Sequence, residues 1–120
     1  MFNFEKLDAW RKSIELADLI YRTTRTFPPD ERFGLTNQLR RAAVSISSNL
    51  AEGCSRASST DFARFVEIAA GSAFETASQS VIARNQGYLS EREFGAIQES
   101  ALEITRMLSG LRRSLVVRRG

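Results

Sequence analysis

Histidine is absent from this 120-residue chain, cysteine occurs once, and proline occurs twice. Without histidine the chain lacks the commonest general base, both histidine-activated nucleophile pairs and the commonest metal ligand. The Glu-x-x-His pairs of helical di-metal sites are excluded with it. A single cysteine, Cys54, can close no intramolecular disulfide and build no cysteine-rich zinc site, so it reads as a small, partly buried filler in a reducing compartment. No stretch approaches the ~18 consecutive apolar residues of a membrane span. Met1 to Lys12 contains acids and lacks the apolar centre of a signal peptide. The expected location is the cytoplasm, away from membranes. Acid–base work would have to rest on carboxylates such as Glu52 and Glu75, with no activated nucleophile or phosphate loop beside them. The composition therefore predicts a protein that is not an enzyme and needs no cofactor or metal.

What is present is ordinary for a folded domain: 42% hydrophobic residues, 26% charged residues and a formal charge of +3. One domain that buries a core without staples is expected. The adjacent Pro28 and Pro29 and the sparse glycines divide the chain into four helical segments, at about 8–26, 35–52, 59–86 and 91–117. Asp8 is placed as the cap of the first, whose stripe reads Trp10, Ile14, Ala17, Tyr21, Thr24. The second buries Leu35, Leu39, Ala42, Ala43, Ile46 and Leu50, with Gly53 expected as a left-handed terminal cap. The third carries Phe62, Phe65, Val66, Ala69, Ala73, Thr76 and Ala83, with Gly87 as its stop. The fourth opens on the capping box Ser90–Glu93 and repeats Phe94, Ile97, Ala101, Ile104, Leu108, Leu111, Leu115. Short connections between long amphipathic helices predict an all-α, antiparallel up-down-up-down four-helix bundle.

Two features exceed a generic bundle. Gln38, Arg41, Ser45, Asn49 and Glu52 recur at three- and four-residue steps, forming a polar stripe beside the apolar one. A solvated exterior is one reading of it. Ser45, Ser48 and Asn49 are short and poor as exposed helix formers, which favours a second packing face against another subunit or a ligand. In mid-helix three, Gly71 and Ser72 read as a close-contact surface, since a helical glycine costs about 1 kcal/mol relative to alanine.

The stretch from Arg40 to Arg56, RRAAVSISSNLAEGCSR, resembles the signature of the four-helix-bundle proteins encoded in bacterial 23S rRNA intervening sequences. Around it stand Trp10, Tyr21, FPPDERFGLTNQLRR, DFARFVEIAAGSAFE and GYL, in matching order over nearly the whole chain. The resemblance carries over Glu31, Gln38, Arg41, Ser45, Asn49, Glu52, Gly53, Arg56, Phe65, Gly71, Ser72, Glu75 and Gln79, none with a catalytic role in the family. It implies a homopentamer of antiparallel bundles. It also implies a distant likeness to the basic accessory protein of diversity-generating retroelements, which works with a reverse transcriptase and nucleic acid. The chain departs from the family pattern at Ser47, where proline is usual, at Ala70, where arginine is usual, and over Thr76–Ser80. Ion pairs that those positions support in relatives are therefore in question here.

Charge supplies the remaining clue. Lys6 and Lys12 are the only lysines among 17 basic residues, so the rest are arginine, the side chain suited to phosphate. Arg40, Arg41 and Arg56 outnumber Glu52 in and just after helix two. Arg112, Arg113, Arg118 and Arg119 have no acidic sequence neighbour, although basic residues also favour a helix C-terminus for its dipole. Repeated around a ring, such patches would attract a polyanion. The expectation is a weak, phosphate-driven RNA or DNA binder. The rival is a scaffold whose polar and small-residue faces serve only self-assembly and a protein partner, for which a nucleic-acid enzyme is one candidate. Glu52 and Glu75 are expected as partners of Arg41 or Arg56. Trp10, Phe62, Phe65 and Phe94 sit at core spacing, and base stacking is not expected of them.

Overall fold

The computed structural model describes residues 1–117, apart from the side chain of Val117. Among these residues there are four α-helices and no strand: α1 (Asp8–Thr24), α2 (Leu35–Cys54), α3 (Ser59–Asn85) and α4 (Glu91–Val117). Single 3-10 turns precede α1 at Asn3–Lys6 and α2 at Pro29–Glu31. The helices bundle into a body 49 × 22 × 21 Å. Helix α1 touches α2 and α4, and α3 touches α2 and α4, while the diagonal pairs do not meet. The four therefore form a square.

Leu16, Ile20, Leu39, Ile46, Leu50, Val66, Ile97, Ile104 and Leu108 are almost fully buried at its centre. Burying each such side chain is worth about 1.5–3 kcal/mol before the entropy of ordering the chain is set against it. The apolar positions expected of α2 are all buried. Those of α4 are buried too, or packed on the core in the case of Phe94 and Leu111.

Helix α1 differs from its expected stripe. Ser13, Leu16, Ile20 and Thr23 face inward with Ala17 and Thr24, whereas Trp10 and Ile14 are half-buried and Tyr21 is exposed. The two aromatic rings are served from the flanks instead. Phe4 of the N-terminal turn lies 5.0 Å from Trp10, and the Arg40 guanidinium sits 4.6 Å over Tyr21. Small hydroxyl side chains can take core positions because they bond back to their own helix. Ser13 donates to the Trp10 carbonyl at 2.7 Å and Thr24 to that of Ile20 at 2.6 Å. Ser47 does the same, donating to the Val44 carbonyl at 3.1 Å, and α2 is continuous through it.

The helix ends are set locally. Asp8 is the first helical residue and not the cap; its carboxylate pairs with Arg11 in the first turn, where negative charge favours the helix dipole. The Ser90–Glu93 capping box forms, at 2.9 and 3.0 Å. Gly87, at φ +82, lets Tyr88 N–H reach the Ala83 carbonyl at 2.9 Å and Gly87 N–H that of Arg84, closing α3 as a Schellman turn. Gly53 does not act this way. It lies inside α2, which continues to Cys54, and a Cβ there would come within 2.9 Å of both Phe62 Cδ1 and Phe65 Cβ. Close approach of α3 is what requires a glycine at this point.

Candidate functional site

The polar stripe of α2 meets its counterpart on α3. Ser72 Oγ donates to Ser45 Oγ at 2.9 Å, and Asn49 Nδ2 donates to the Ser45 carbonyl and hydroxyl at 2.8 and 3.0 Å. Further along, Gln79 Nε2 donates to Glu75 Oε2 at 3.3 Å and to Gln38 Oε1 at 3.5 Å. Gln79 is buried, and its Oε1 has no hydrogen-bond partner. Gln38, Ser45, Asn49, Ser72, Glu75 and Gln79 thus form one seam. Ser45 and Ser72 are short, so α2 and α3 lie close together where one hydroxyl reaches the other.

Beside the seam lies an open cleft of about 380 Å³, lined by Asn37, Gln38, Arg41, Ser45 and Glu75. Arg41 and Glu75 share this cleft without forming an ion pair. The other expected pairing does form: Arg56 meets Glu52 at 3.0 Å and covers the Phe65 ring at 4.8 Å. Gly71 stands apart. It is exposed, and a Cβ there would meet nothing within 4 Å, so within the chain it makes no close contact. Ser72 alone of that pair enters the seam.

The candidate arginines are used unequally. Arg40 Nε donates to Thr24 Oγ1 at 2.9 Å while its guanidinium stacks on Tyr21, fastening α2 to α1. Arg112 pairs with Glu67 of α3, so the C-terminal arginine cluster has an acidic neighbour in space that it lacks in sequence. A contact between residues 45 positions apart leaves no local signal. Arg113 is exposed and makes no ion pair among the described residues; Arg118 and Arg119 lie outside them. Exposed pairs such as Arg112–Glu67 contribute only about 0–1 kcal/mol each, and they leave the arginines available to a stronger anion.

Two further residues gain roles that sequence spacing does not indicate. Glu31 accepts from Leu35 N–H at 3.0 Å, capping α2, and from the Tyr88 hydroxyl at 3.2 Å. Burial, reinforced by that bond and the nearby Glu31 and Asp30 charges, raises the Tyr88 phenol above its ordinary range. Burial likewise raises the Cys54 thiol, which leaves it a poor nucleophile at neutral pH. Among the described residues no three His, Cys, Asp or Glu side chains are grouped to hold a metal ion, and no helix is long and apolar enough to cross a membrane.

Comparison with known proteins agrees with this architecture. The family model described as 23S rRNA-intervening sequence protein matches residues 5–110. A crystal structure of a protein of unknown function from the S23 ribosomal protein family of Bacteroides thetaiotaomicron superposes with a TM-score of 0.78. The two are 23% identical, over 87% of this chain and 97% of that one, a likeness of fold. No curated protein matches the sequence.

Proposed function

Because the chain belongs to the 23S rRNA-intervening sequence protein family, we propose that it is a non-enzymatic, oligomeric four-helix bundle of the cytoplasm that binds structured RNA or DNA through phosphate contacts. The bundle is read as antiparallel, up-down-up-down. In support, residue numbers descend along α2 where those of the facing residues ascend along α3, through Ser45–Ser72 and Gln38–Gln79. The same inverse order relates α1 and its leading turn to α2 through Arg40–Thr24 and Asn3–Cys54, and α3 to α4 through Gln98–Ser80 and Arg112–Glu67. The oligomer is read as a homopentamer, with the seam of Gln38, Ser45, Asn49, Ser72, Glu75 and Gln79, together with Arg41, Glu52 and Gly71 outside it, as subunit-facing surface.

The observation that carries nucleic-acid binding is the surplus of arginine with no carboxylate of its own, Arg41 and Arg113 above all among the described residues. Arg40, Arg56, Arg112, Arg118 and Arg119 would add to it. Phosphate contacts of this kind position a duplex without reading its sequence, and they weaken steeply with salt. Fluorescence anisotropy with a labelled structured RNA and a matched duplex DNA, across a salt series, tests the reading. Micromolar or tighter binding that falls with salt is expected, as is its loss in an Arg112→Glu, Arg113→Glu double variant of unchanged oligomer mass. Absence of binding at low salt rejects it.

The second reading is a scaffold for a protein partner, for which a nucleic-acid enzyme is one candidate. It is favoured by the internal use of Arg40, which reduces the charge left for phosphate. Capture of a partner that survives nuclease treatment would support it over the first.

A further inference from the structure

One aromatic ring in the middle of α3 serves neither the core nor the polar seam. Phe74 is 66% exposed and, among the described residues, it neither stacks on another ring nor lies under a guanidinium. Two open hollows run along the α3–α4 edge, and Phe74 lines both. The first, of about 490 Å³, is otherwise walled by Ala70, Gly71 and Leu108, with Arg106 and Arg112 on its α4 side. Its volume falls in the range of about 300–1,000 Å³ usual for small-ligand clefts. The second, of about 420 Å³, carries Leu102, which is 51% exposed, and has Glu99 where the first has its arginines.

Three features of the first hollow point to one kind of occupant. Gly71 lies three residues before Phe74 and so on the same side of α3, where it leaves bare backbone beside the ring. A Cβ at Gly71 would meet nothing within 4 Å, so the helix carries the cost of a mid-helix glycine with no close contact in the chain that requires it. Across the hollow, Arg106 is exposed and makes no ion pair among the described residues, while Arg112 pairs with the half-exposed carboxylate of Glu67. A flat apolar seat is thereby joined to a cationic rim. Glu99 makes the second hollow unfavourable for an anion, so charge selects the first. A ligand that fits has a π-face for Phe74 and an anion attached to it, which is the chemistry of a nucleotide. Bases inside a duplex are stacked on one another, and only an unpaired one can present its face to a side chain.

We propose that this hollow seats an unpaired base of a single-stranded RNA segment against Phe74 and over Gly71, with Arg106 and Arg112 meeting its flanking phosphates. The inference rests on the nucleic-acid reading above and narrows it. Phosphate contacts hold any strand, whereas this seat takes only loops, bulges and ends, whose bases are free to leave the stack. Stacking on Phe74 is tolerant of sequence, because every base has a π-face. The bare surface of Gly71, grouped above with the subunit-facing residues, then faces a ligand in place of a second copy.

Two labelled RNAs test it, an oligouridine that forms no duplex and a blunt-ended duplex, titrated by fluorescence anisotropy against the wild type and Phe74→Ala, Phe74→Leu and Gly71→Leu. Both RNAs should bind the wild type. Both positions are exposed, so each variant should keep full helicity by circular dichroism, and if the Phe74 variants do not, Gly71→Leu is read alone. Phe74→Ala should weaken oligouridine binding about 5- to 150-fold and leave the duplex affinity unchanged. Phe74→Leu, apolar but without a π-face, should lose as much, and so should Gly71→Leu, which fills the seat. Oligouridine affinity retained by Phe74→Leu or by Gly71→Leu overturns the base seat, the former leaving a plain apolar groove of the kind a partner helix would use. Equal weakening of both RNAs by a Phe74 variant overturns it too, as does a wild type that binds the duplex but not oligouridine. In each of these cases the phosphate reading stands. Absence of binding to either RNA at low salt overturns the inference together with that reading.

Discussion

Two glycines in neighbouring helices answer to opposite constraints. At Gly53 an added Cβ has Phe62 Cδ1 and Phe65 Cβ within 2.9 Å, and at Gly71 it has nothing within 4 Å. Overpacking of this kind costs about 1–3 kcal/mol, against a helix-propensity gain of about 1 kcal/mol for alanine over glycine. Gly53→Ala should therefore lower the unfolding free energy, by up to roughly 2 kcal/mol net. Gly71→Ala should raise it by up to about 1 kcal/mol. Urea titrations of the two variants check the signs, and a stabilised Gly53→Ala would contradict the close approach of α3. The sequence marks both residues as exceptional, yet it misassigns the reason for Gly53. A glycine near a helix end suits a left-handed cap and a tight helix crossing equally well until the facing aromatic residues are located.

At the scale of elements, the connections carry as much information as the helices. Glu31 leaves the α1–α2 connection to cap α2 and to receive the Tyr88 hydroxyl from the α3–α4 turn, while Phe27 packs 5.3 Å from the Tyr88 ring. One end of the bundle is thereby tied across two loops. The raised Tyr88 phenol favours the protonated form in the folded chain, so its contribution is full below the unfolded tyrosine value of about 10 and is lost as pH climbs through the folded one. Tyr88→Phe should be less stable than the wild type at neutral pH, and the difference should shrink at strongly alkaline pH. Thermal melts of both proteins at neutral pH and above pH ~10 measure this; a constant difference would show that the hydroxyl bond is not the cause. Caps, heptads and the Gly87 stop are legible in sequence because they depend on residues close together in the chain. The Glu31–Tyr88 tie spans 57 positions and is not.

For the whole molecule, the question is how a formal charge of +3 acts on a polyanion. Net charge matters less than which arginines are already engaged. Arg40 is held by Thr24 and Tyr21, whereas Arg113 is exposed with no carboxylate partner among the described residues. Arg113→Gln should reduce the slope of log affinity against log salt by about 0.7–0.9 for each phosphate that the arginine neutralises, with little change in melting temperature. Arg40→Gln should mainly lower the melting temperature, since its ties from α2 to Thr24 and Tyr21 of α1 are then lost. Measuring both quantities on both variants separates a binding role from a packing one, and a reversed pattern would exchange the two assignments.

The sequence by itself determined the number of the helices, the core positions of α2 and α4, the Ser90–Glu93 box and the α2 members of the polar seam. Each follows from periodicity or from contacts within one helical turn. Only the tertiary structure decided which face of α1 is buried, why Gly53 must be glycine, that Arg112 faces Glu67, and that Phe74 and Leu102 are left uncovered. Those outcomes depend on how far each helix is rotated about its axis against its neighbours. Rotation is set by the packing of residues distant in the chain, and no local pattern records it.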